Sequence, residues 1–263
     1  MIHGLLILLS LLQEPVGEKV TLEARPKEGD KLAVVESWDN TFAGKLGDDP
    51  LFLRSRGGRR IQVEVAGVQG SRITRKVVQV EDSYREDQDV QTSKFVRQED
   101  GLKGRKVTIT LRDGKEERTG LDGVPDEAQK TLTLDDPLTG LFPTGPVRVG
   151  DSWEIAGDGL KKIFAGGDFT EGKITVRLRE VKEVDGRKCA VLGTVWEVRG
   201  KNPDGFTREL RQTGTITVWI ERGYVMGMDQ KGVLKTTGAV AGSGMPTGES
   251  AITGSRQVTI GGK

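Results

Sequence analysis

Two short acidic segments contain the side chains best suited to acid–base chemistry or calcium binding. Both read Asp-Asp-Pro, at Asp48–Pro50 and Asp135–Pro137, and a further carboxylate, Asp151, follows a glycine. Carboxylate pairs can catalyse hydrolysis as general acid and base, and their oxygens are typical Ca²⁺ ligands. The same residues are ordinary turn formers, because Asp accepts hydrogen bonds from nearby backbone and proline fixes φ. No EF-hand spacing is present, so we predict turns, no catalytic residue and no metal site; a carboxylate-dependent hydrolase stays an alternative.

Nucleophilic catalysis has few candidate residues in this chain. The sequence contains one histidine, His3, and one cysteine, Cys189, which lies in the apolar run KCAVLG. A single cysteine cannot form an intramolecular disulfide, and we interpret Cys189 as a buried small hydrophobe. If the N-terminal segment that contains His3 is removed, Ser-His-Asp catalysis and the common zinc sites are excluded. We therefore predict a protein that is not an enzyme and that needs no cofactor.

Residues 1–17 predict an export signal. Gly4–Leu12 form an apolar block that is too short for the roughly 20 residues of a membrane-spanning helix but suits the centre of a signal peptide. A buried first strand or an uncleaved anchor is the alternative. We expect a periplasmic or secreted protein with no transmembrane segment other than the signal. Its 40 basic and 39 acidic residues give a net charge of +1, which predicts no nucleic-acid partner.

The elements that would position the candidate residues are β-strands. Apolar and polar residues alternate at Val107–Leu111 and at Ile174–Leu178, which is the period of a half-buried strand. Asp113–Gly114 and Asp185–Gly186 separate such runs and predict hairpin turns. Pro125–Leu132 could form two helical turns. These patterns predict an all-β, mainly antiparallel fold, with two related curved sheets or half-barrels and few short helices.

The strand and turn motifs occur in a similar order twice along the chain. We predict a first β half at residues 18–133, a linker at 134–146 and a second β half at 147–263, after the export signal at 1–17. Three prolines in the linker would interrupt strand pairing. The order of motifs indicates an internal repeat, although chance similarity between β-rich segments gives the same pattern.

Three tryptophans on predicted strands are the candidate ligand-binding residues: Trp153, Trp196 and Trp219. The strand KCAVLGTVWEV is apolar on both faces, and an open sheet cannot expose both to water. The extra face must meet a second sheet, a helix, a partner or an apolar ligand. Tryptophan often lines sites that bind small molecules, but it also anchors strands in a core. We interpret the basic run Arg54–Arg60 as a solvated loop.

The segments PVRVGDSW, VDGRKCAVLGTVWEV and GTITVWIERGYVMGMDQKGVL together resemble an uncharacterised family of exported, β-rich bacterial proteins with two related halves. The strand pattern is also similar to the half-barrels of Lol-type lipoprotein carriers. The resemblance implies an exported, β-rich protein and supplies no catalytic residues. We predict a non-enzymatic envelope protein that binds a lipid, another apolar or amphipathic ligand, or an envelope protein through a concave sheet. The alternative is a purely structural or interaction domain with a filled core.

Overall fold

Long antiparallel strands account for most of the chain. The computed structural model describes residues 18–46, 48–89, 93–164, 169–201, 206–238 and 247–261, so the predicted export signal lies outside the described residues. Across these ranges there are twelve strands, two short α-helices and one 3₁₀-helix. In chain order they are β1 (Lys31–Leu46), β2 (Asp49–Gln69), β3 (Arg72–Gln88), β4 (Phe95–Gln98), β5 (Lys106–Arg112), β6 (Lys115–Thr119), α1 (Asp126–Lys130), the 3₁₀-helix (Pro137–Leu141), β7 (Ser152–Ala156), α2 (Asp158–Ile163), β8 (Glu171–Val184), β9 (Arg187–Lys201), β10 (Thr207–Trp219), β11 (Tyr224–Thr237) and β12 (Thr247–Ile260).

The twelve strands form one open sheet in the order β6-β5-β3-β2-β1-β12-β11-β10-β9-β8-β7, with β4 paired to β3. Every pairing is antiparallel, which confirms the predicted all-β fold with few short helices. The two predicted halves share this single sheet. Their seam is the pairing of β1 with β12, which runs from Leu32 opposite Ile260 to Lys45 opposite Thr247.

Two predicted hairpin turns have the backbone that their sequences require. Asp113 and Gly114 have φ values of 49° and 77°, and Asp185 and Gly186 have 51° and 71°. Positive φ at both central residues is the signature of a type I′ turn, whose twist matches that of the flanking strands. These turns join β5 to β6 and β8 to β9. The predicted helix at Pro125–Leu132 is confirmed in shorter form as α1.

Side chains on one face of the sheet, which we call the inner face, pack into two separate cores. The first core joins β1, β2, β3 and β5 to the chain that follows β4, and the second joins β8 to β11 with α2 and the 3₁₀-helix. The predicted linker contributes to both cores, since Leu134 is fully buried in the first and Leu141 is fully buried in the second. Segment 134–146 therefore ties the two halves together across the inner face. Within the described ranges, neither helix has the length and apolar composition needed to cross a bilayer.

Candidate ligand-binding cavity

A cavity of about 500 Å³ lies where the two cores meet, between the inner face and residues 130–138, which we call the cover segment. The strands on either side of the β1–β12 seam form its floor, and the end of α2 closes one side. Aliphatic and aromatic side chains from both cores form most of its wall, among them Val34, Val63, Leu134, Trp196, Leu210 and Met228. Its size falls within the roughly 300–1,000 Å³ of typical small-molecule pockets.

Four charged side chains cross the cavity at the seam, and we call them the polar belt: Glu36, Arg59, Asp136 and Arg256. Arg59 Nη2 lies 2.5 Å from Glu36 Oε2, and Arg256 Nη1 lies 2.8 Å from Asp136 Oδ2. Arg256 Nε lies 3.7 Å from Glu36 Oε1 and has no hydrogen-bond acceptor among the described residues. The belt thus alternates acidic and basic groups, and one buried donor of Arg256 is left without an acceptor.

The polar belt also holds the cover segment against the sheet. Arg59 Nη1 donates to both the backbone oxygen and the hydroxyl of Thr131, at 3.2 and 2.9 Å. Asp136 pairs with Arg256 through one carboxylate oxygen and accepts the backbone N–H of Leu138 with the other, at 3.0 Å. The lid of the cavity is therefore attached by hydrogen bonds as well as by apolar packing.

Lys76 is the third cation of the cavity and has an unusual environment. Its Nζ donates to the backbone oxygens of Thr133 and Leu134, at 2.8 and 3.2 Å, and makes no carboxylate contact within 4 Å among the described residues. Desolvation lowers the pKa of Lys76 from 10.5 to about 8, against a smaller opposing effect of Asp136. A partly buried, desolvated ammonium group whose direct contacts are carbonyl oxygens is costly, because the nearby carboxylates compensate its charge only in part.

Trp196 is the predicted site residue that the structure places in the cavity wall. Only 4% of its surface is exposed, and its ring packs edge-on against Phe164 with centroids 5.6 Å apart. Its Nε1 is buried and has no acceptor within the described part of the chain. A buried indole N–H usually finds a partner, so an unpaired one beside a cavity is consistent with a ligand acceptor.

The structure does not bring Trp153 and Trp219 into this cavity. Trp153 Nε1 donates to the backbone oxygen of Leu141 at 2.8 Å, so this residue anchors the 3₁₀-helix to β7. Trp219 pairs with Cys189 in the β9–β10 register and lies beneath Arg187 and Arg222, whose guanidinium carbons are 5.4 and 5.6 Å from its ring. Both positions fit strand anchorage, which was the other interpretation of these tryptophans.

The acidic segments form turns and ion pairs. Asp151 Oδ2 accepts the backbone N–H of Arg148 at 2.7 Å, as a turn cap should, and Asp136 caps the 3₁₀-helix. Asp49 and Pro50 open β2 beside the β1–β2 hairpin. Partial burial raises the pKa of Asp135, although Arg72 opposes this. No group of three His, Cys, Asp or Glu side chains in the described ranges converges as a metal site would.

The basic run Arg54–Arg60 is not a loop, and this corrects the prediction from sequence. It lies inside β2, where successive side chains point to opposite faces of the sheet. Carboxylates on the neighbouring strands neutralise it: Arg54 pairs with Asp39 on β1, and Arg56 pairs with Glu86 on β3. Cross-strand pairing thus allows a strongly basic sequence to continue a strand.

The polar belt and Lys76 were not predicted from the sequence, although the sequence carries a signal for them. In β1, Leu32 and Val34 are buried on the inner face, and Glu36 occupies the next position of the same register. Lys76 likewise continues the buried series of Val80 and Val78 on β3. A charge in the apolar register of a strand is therefore the pattern that marks this site.

Strand β9 is buried on both faces, but no second sheet covers its outer face among the described residues. Cys189 to Thr194 are buried on both faces, yet the strands belong to a single sheet. On the outer face, the Arg179 guanidinium lies over Gly193, where a Cβ would fall 2.1 Å from Arg179 Nε. The long side chain of Arg179, from the neighbouring strand β8, thus covers part of this face. Burial raises the pKa of the Cys189 thiol, in agreement with a structural cysteine.

A second depression, of about 600 Å³, lies on the outer face of the sheet, opposite the inner face, and is more polar than the inner cavity. Hydroxyl side chains such as Ser37, Thr213 and Thr253 line it, together with glycines that include Gly57 and Gly254. It lacks the enclosing apolar wall of the inner cavity, which is therefore the stronger candidate for a ligand site.

Comparisons with known proteins give little guidance for this chain. No protein-family model matches it, and no curated protein matches it. Among solved structures, it is similar to DynF from the dynemicin biosynthesis pathway of Micromonospora chersina, with 12% identity over 94% of this chain and 86% of that chain, at a TM-score of 0.24. Similarity at this level carries no argument about function.

Proposed function

We propose that this chain is an exported, non-enzymatic protein of the cell envelope that binds an amphipathic small molecule in the inner cavity. The observation that carries the proposal is an apolar cavity of about 500 Å³ at the seam of the sheet, crossed by a polar belt. A purely structural domain with a filled core would have no need of such a space, because protein interiors are close-packed.

The distribution of polarity in the cavity supports an amphipathic ligand. The walls formed by the two cores would take an apolar body, since burial of apolar area is favourable at roughly 25 cal/mol per Å². The polar belt and Lys76 would take a polar end, because their charged groups supply directional hydrogen bonds. A ligand that is apolar throughout would leave these charges desolvated without compensation.

Binding can be tested on the purified chain in two steps. Its intact mass is first measured by native mass spectrometry, and the protein is then titrated with lauroyl and palmitoyl amphiphiles. We expect added mass from a ligand retained during purification, and a shift of tryptophan emission as Trp196 contacts the added chain. Trp196→Phe should lose most of the emission change. Trp219→Phe is the matched control and should keep most of it, because Trp219 does not line the cavity.

Absence of any bound mass, together with an emission spectrum that no amphiphile changes, would refute the binding proposal. Equal loss of signal in both variants would mean that the emission change does not report on the cavity. The export part is tested separately, by expressing the chain with and without residues 1–17 and determining its compartment and N-terminal residue. Export of the shortened chain would contradict the assignment of that segment as a signal.

A further inference from the structure

The cavity contains more positive than negative charge. Arg59, Arg256 and Lys76 face it as cations, whereas only Glu36 and Asp136 face it as carboxylates in this region, and each carboxylate is already paired with an arginine. The fourth lining cation, Lys130, is paired with Glu127 at 2.7 Å. One positive charge is therefore left without a counter-ion, and it belongs to Lys76.

The unsatisfied hydrogen-bonding capacity in this region consists of donors. An ammonium group has three protons, and Lys76 gives two of them to the backbone oxygens of Thr133 and Leu134. Arg256 Nε is buried without an acceptor among the described residues. The two cations lie on the same side of the cavity, since Arg256 is bound to Asp136 of the cover segment and Lys76 to the residues just before it.

From this geometry we infer that the polar end of the ligand is an acidic group, a carboxylate or a phosphate, that binds beside Lys76 and Arg256 under the cover segment. Such a group supplies both the missing negative charge and the missing acceptor oxygens. Hydrogen bonds between charged partners are stronger than neutral ones and add selectivity for the charged head. The inference rests on the proposed function, since it names the class of ligand for the same cavity.

Four probes with the same twelve-carbon chain and different heads separate the contribution of the head from that of the tail. Dodecanoate and dodecyl phosphate have acidic heads, 1-dodecanol has a neutral head and dodecylammonium has a basic head. Affinities are measured by tryptophan emission and by calorimetry below the micellar range. We expect an acidic head to bind roughly tenfold to a hundredfold more tightly than the alcohol, and the ammonium head to bind most weakly. Comparison of the two acids shows whether carboxylate or phosphate is preferred.

Lys76→Met removes the charge at nearly constant length and should lower the affinity for dodecanoate about tenfold while leaving that for dodecanol unchanged. Lys182→Met is the matched control, because Lys182 lies exposed on β8 with Glu180 as partner, and it should change neither affinity. Lys76→Arg keeps a cation and should retain most of the preference for the acidic head. Circular dichroism verifies that each variant is folded.

The preference should also depend on pH. Besides the two carbonyls, the charged groups that face the Lys76 ammonium are Asp135 and Asp136, which raise its pKa, and Arg59 and Arg256, which lower it. As Lys76 loses its proton above about pH 8, affinity for dodecanoate should fall and affinity for dodecanol should stay constant.

The outcomes distinguish this inference from the proposed function. Equal affinities for dodecanoate and dodecanol in the native protein would refute the inference that the head group is acidic, but they would remain compatible with the proposed binding of an amphipathic molecule. A preference for dodecylammonium also overturns it. No binding of any twelve-carbon probe overturns both. The head-group comparison on the native chain decides the question even if Lys76→Met fails to fold.

Discussion

Raising the pH should stabilise this protein through Lys76, and Lys76→Met should remove that gain. Burial beneath the cover segment lowers the pKa of the ammonium from 10.5 to about 8 in the folded chain. On unfolding, Lys76 returns to its ordinary pKa of about 10.4. Between these two values the unfolded state binds more protons than the folded state, so the free energy of unfolding rises with pH.

The size of the effect follows from the shift. One pKa unit corresponds to about 1.4 kcal/mol of differential interaction. Near neutral pH both states are protonated, and the folded state carries the full cost of a desolvated charge. At about pH 10 the folded state has released its proton and the unfolded state has kept most of its own, so Lys76 should add about 2.5 kcal/mol to the free energy of unfolding.

Urea unfolding of the wild type, Lys76→Met and Lys182→Met, followed by tryptophan emission at intervals between about pH 7 and pH 10, measures this gain. Other groups also make stability depend on pH; for example, burial and a hydrogen bond to Asp30 raise the pKa of Tyr224 in the folded chain, so its effect on stability with rising pH is opposite to that of Lys76. Their effects are common to all three proteins and therefore cancel when the free energies of unfolding of the variants are subtracted from that of the wild type. If Lys76→Met gains as much stability with pH as the wild type and the Lys182 control, the ammonium is not desolvated and the reasoning is wrong.

Three further outcomes are expected. Asp136→Ala should destabilise the chain by about 1–3 kcal/mol in urea unfolding, because it leaves the largely buried Arg256 with only the more distant carboxylate of Glu36. Gly57→Ala should destabilise it by about 1–3 kcal/mol, because the added Cβ would lie 2.1 Å from Cζ2 of Trp38, which must then move. Cys189 should react with a thiol reagent only at the rate of unfolding, because it is buried and burial raises its pKa.

Each of these outcomes has a matched control. Asp158→Ala removes a highly exposed carboxylate that pairs with Lys161, and it should change stability little; a loss equal to that of Asp136→Ala would contradict the role of burial. Gly58→Ala places its Cβ 3.1 Å from Tyr84, so it should cost less than Gly57→Ala. Rapid modification of Cys189 in the native protein, well ahead of unfolding, would show that β9 and its neighbouring strands open locally.

The local elements could be predicted from the sequence because their determinants are local. Asp185–Gly186 specifies a type I′ turn, and the alternation at Ile174–Leu178 specifies a strand with one buried face. The joining of the halves could not be predicted in this way. The pairing of Leu32 with Ile260 brings together segments more than 200 residues apart, and no local pattern records which strand lies beside which.

The candidate site was harder to predict, because its charged residues look like solvent-facing ones when each is read alone. Glu36, Arg59 and Lys76 come from three consecutive strands, whereas Arg256 comes from β12 near the other end of the chain. Each shares its alternating register with buried apolar residues of the same strand, so it stands out only once that register is known to face inward. Trp196 was predicted because its strand is apolar on both faces, whereas Trp153 and Trp219 share its residue type without sharing its position.

The difference between the seam and the flanking cores is itself an argument for a ligand. In each core, apolar residues of the inner face meet an apolar cover, and Leu134 and Leu141 are fully buried there. At the seam the same register carries charges, and the cover segment is attached by hydrogen bonds from Arg59, Lys76 and Arg256. A protein with apolar residues at these positions would often be as stable as this one or more stable, because the attraction within a buried ion pair seldom exceeds the cost of desolvating its charges. A fold selected for stability alone would therefore fill this seam with apolar side chains. A fold that must admit and release an amphipathic molecule benefits instead from polar contacts between the cover segment and the sheet. The polar head of a ligand can replace such contacts more readily than it can separate packed apolar side chains.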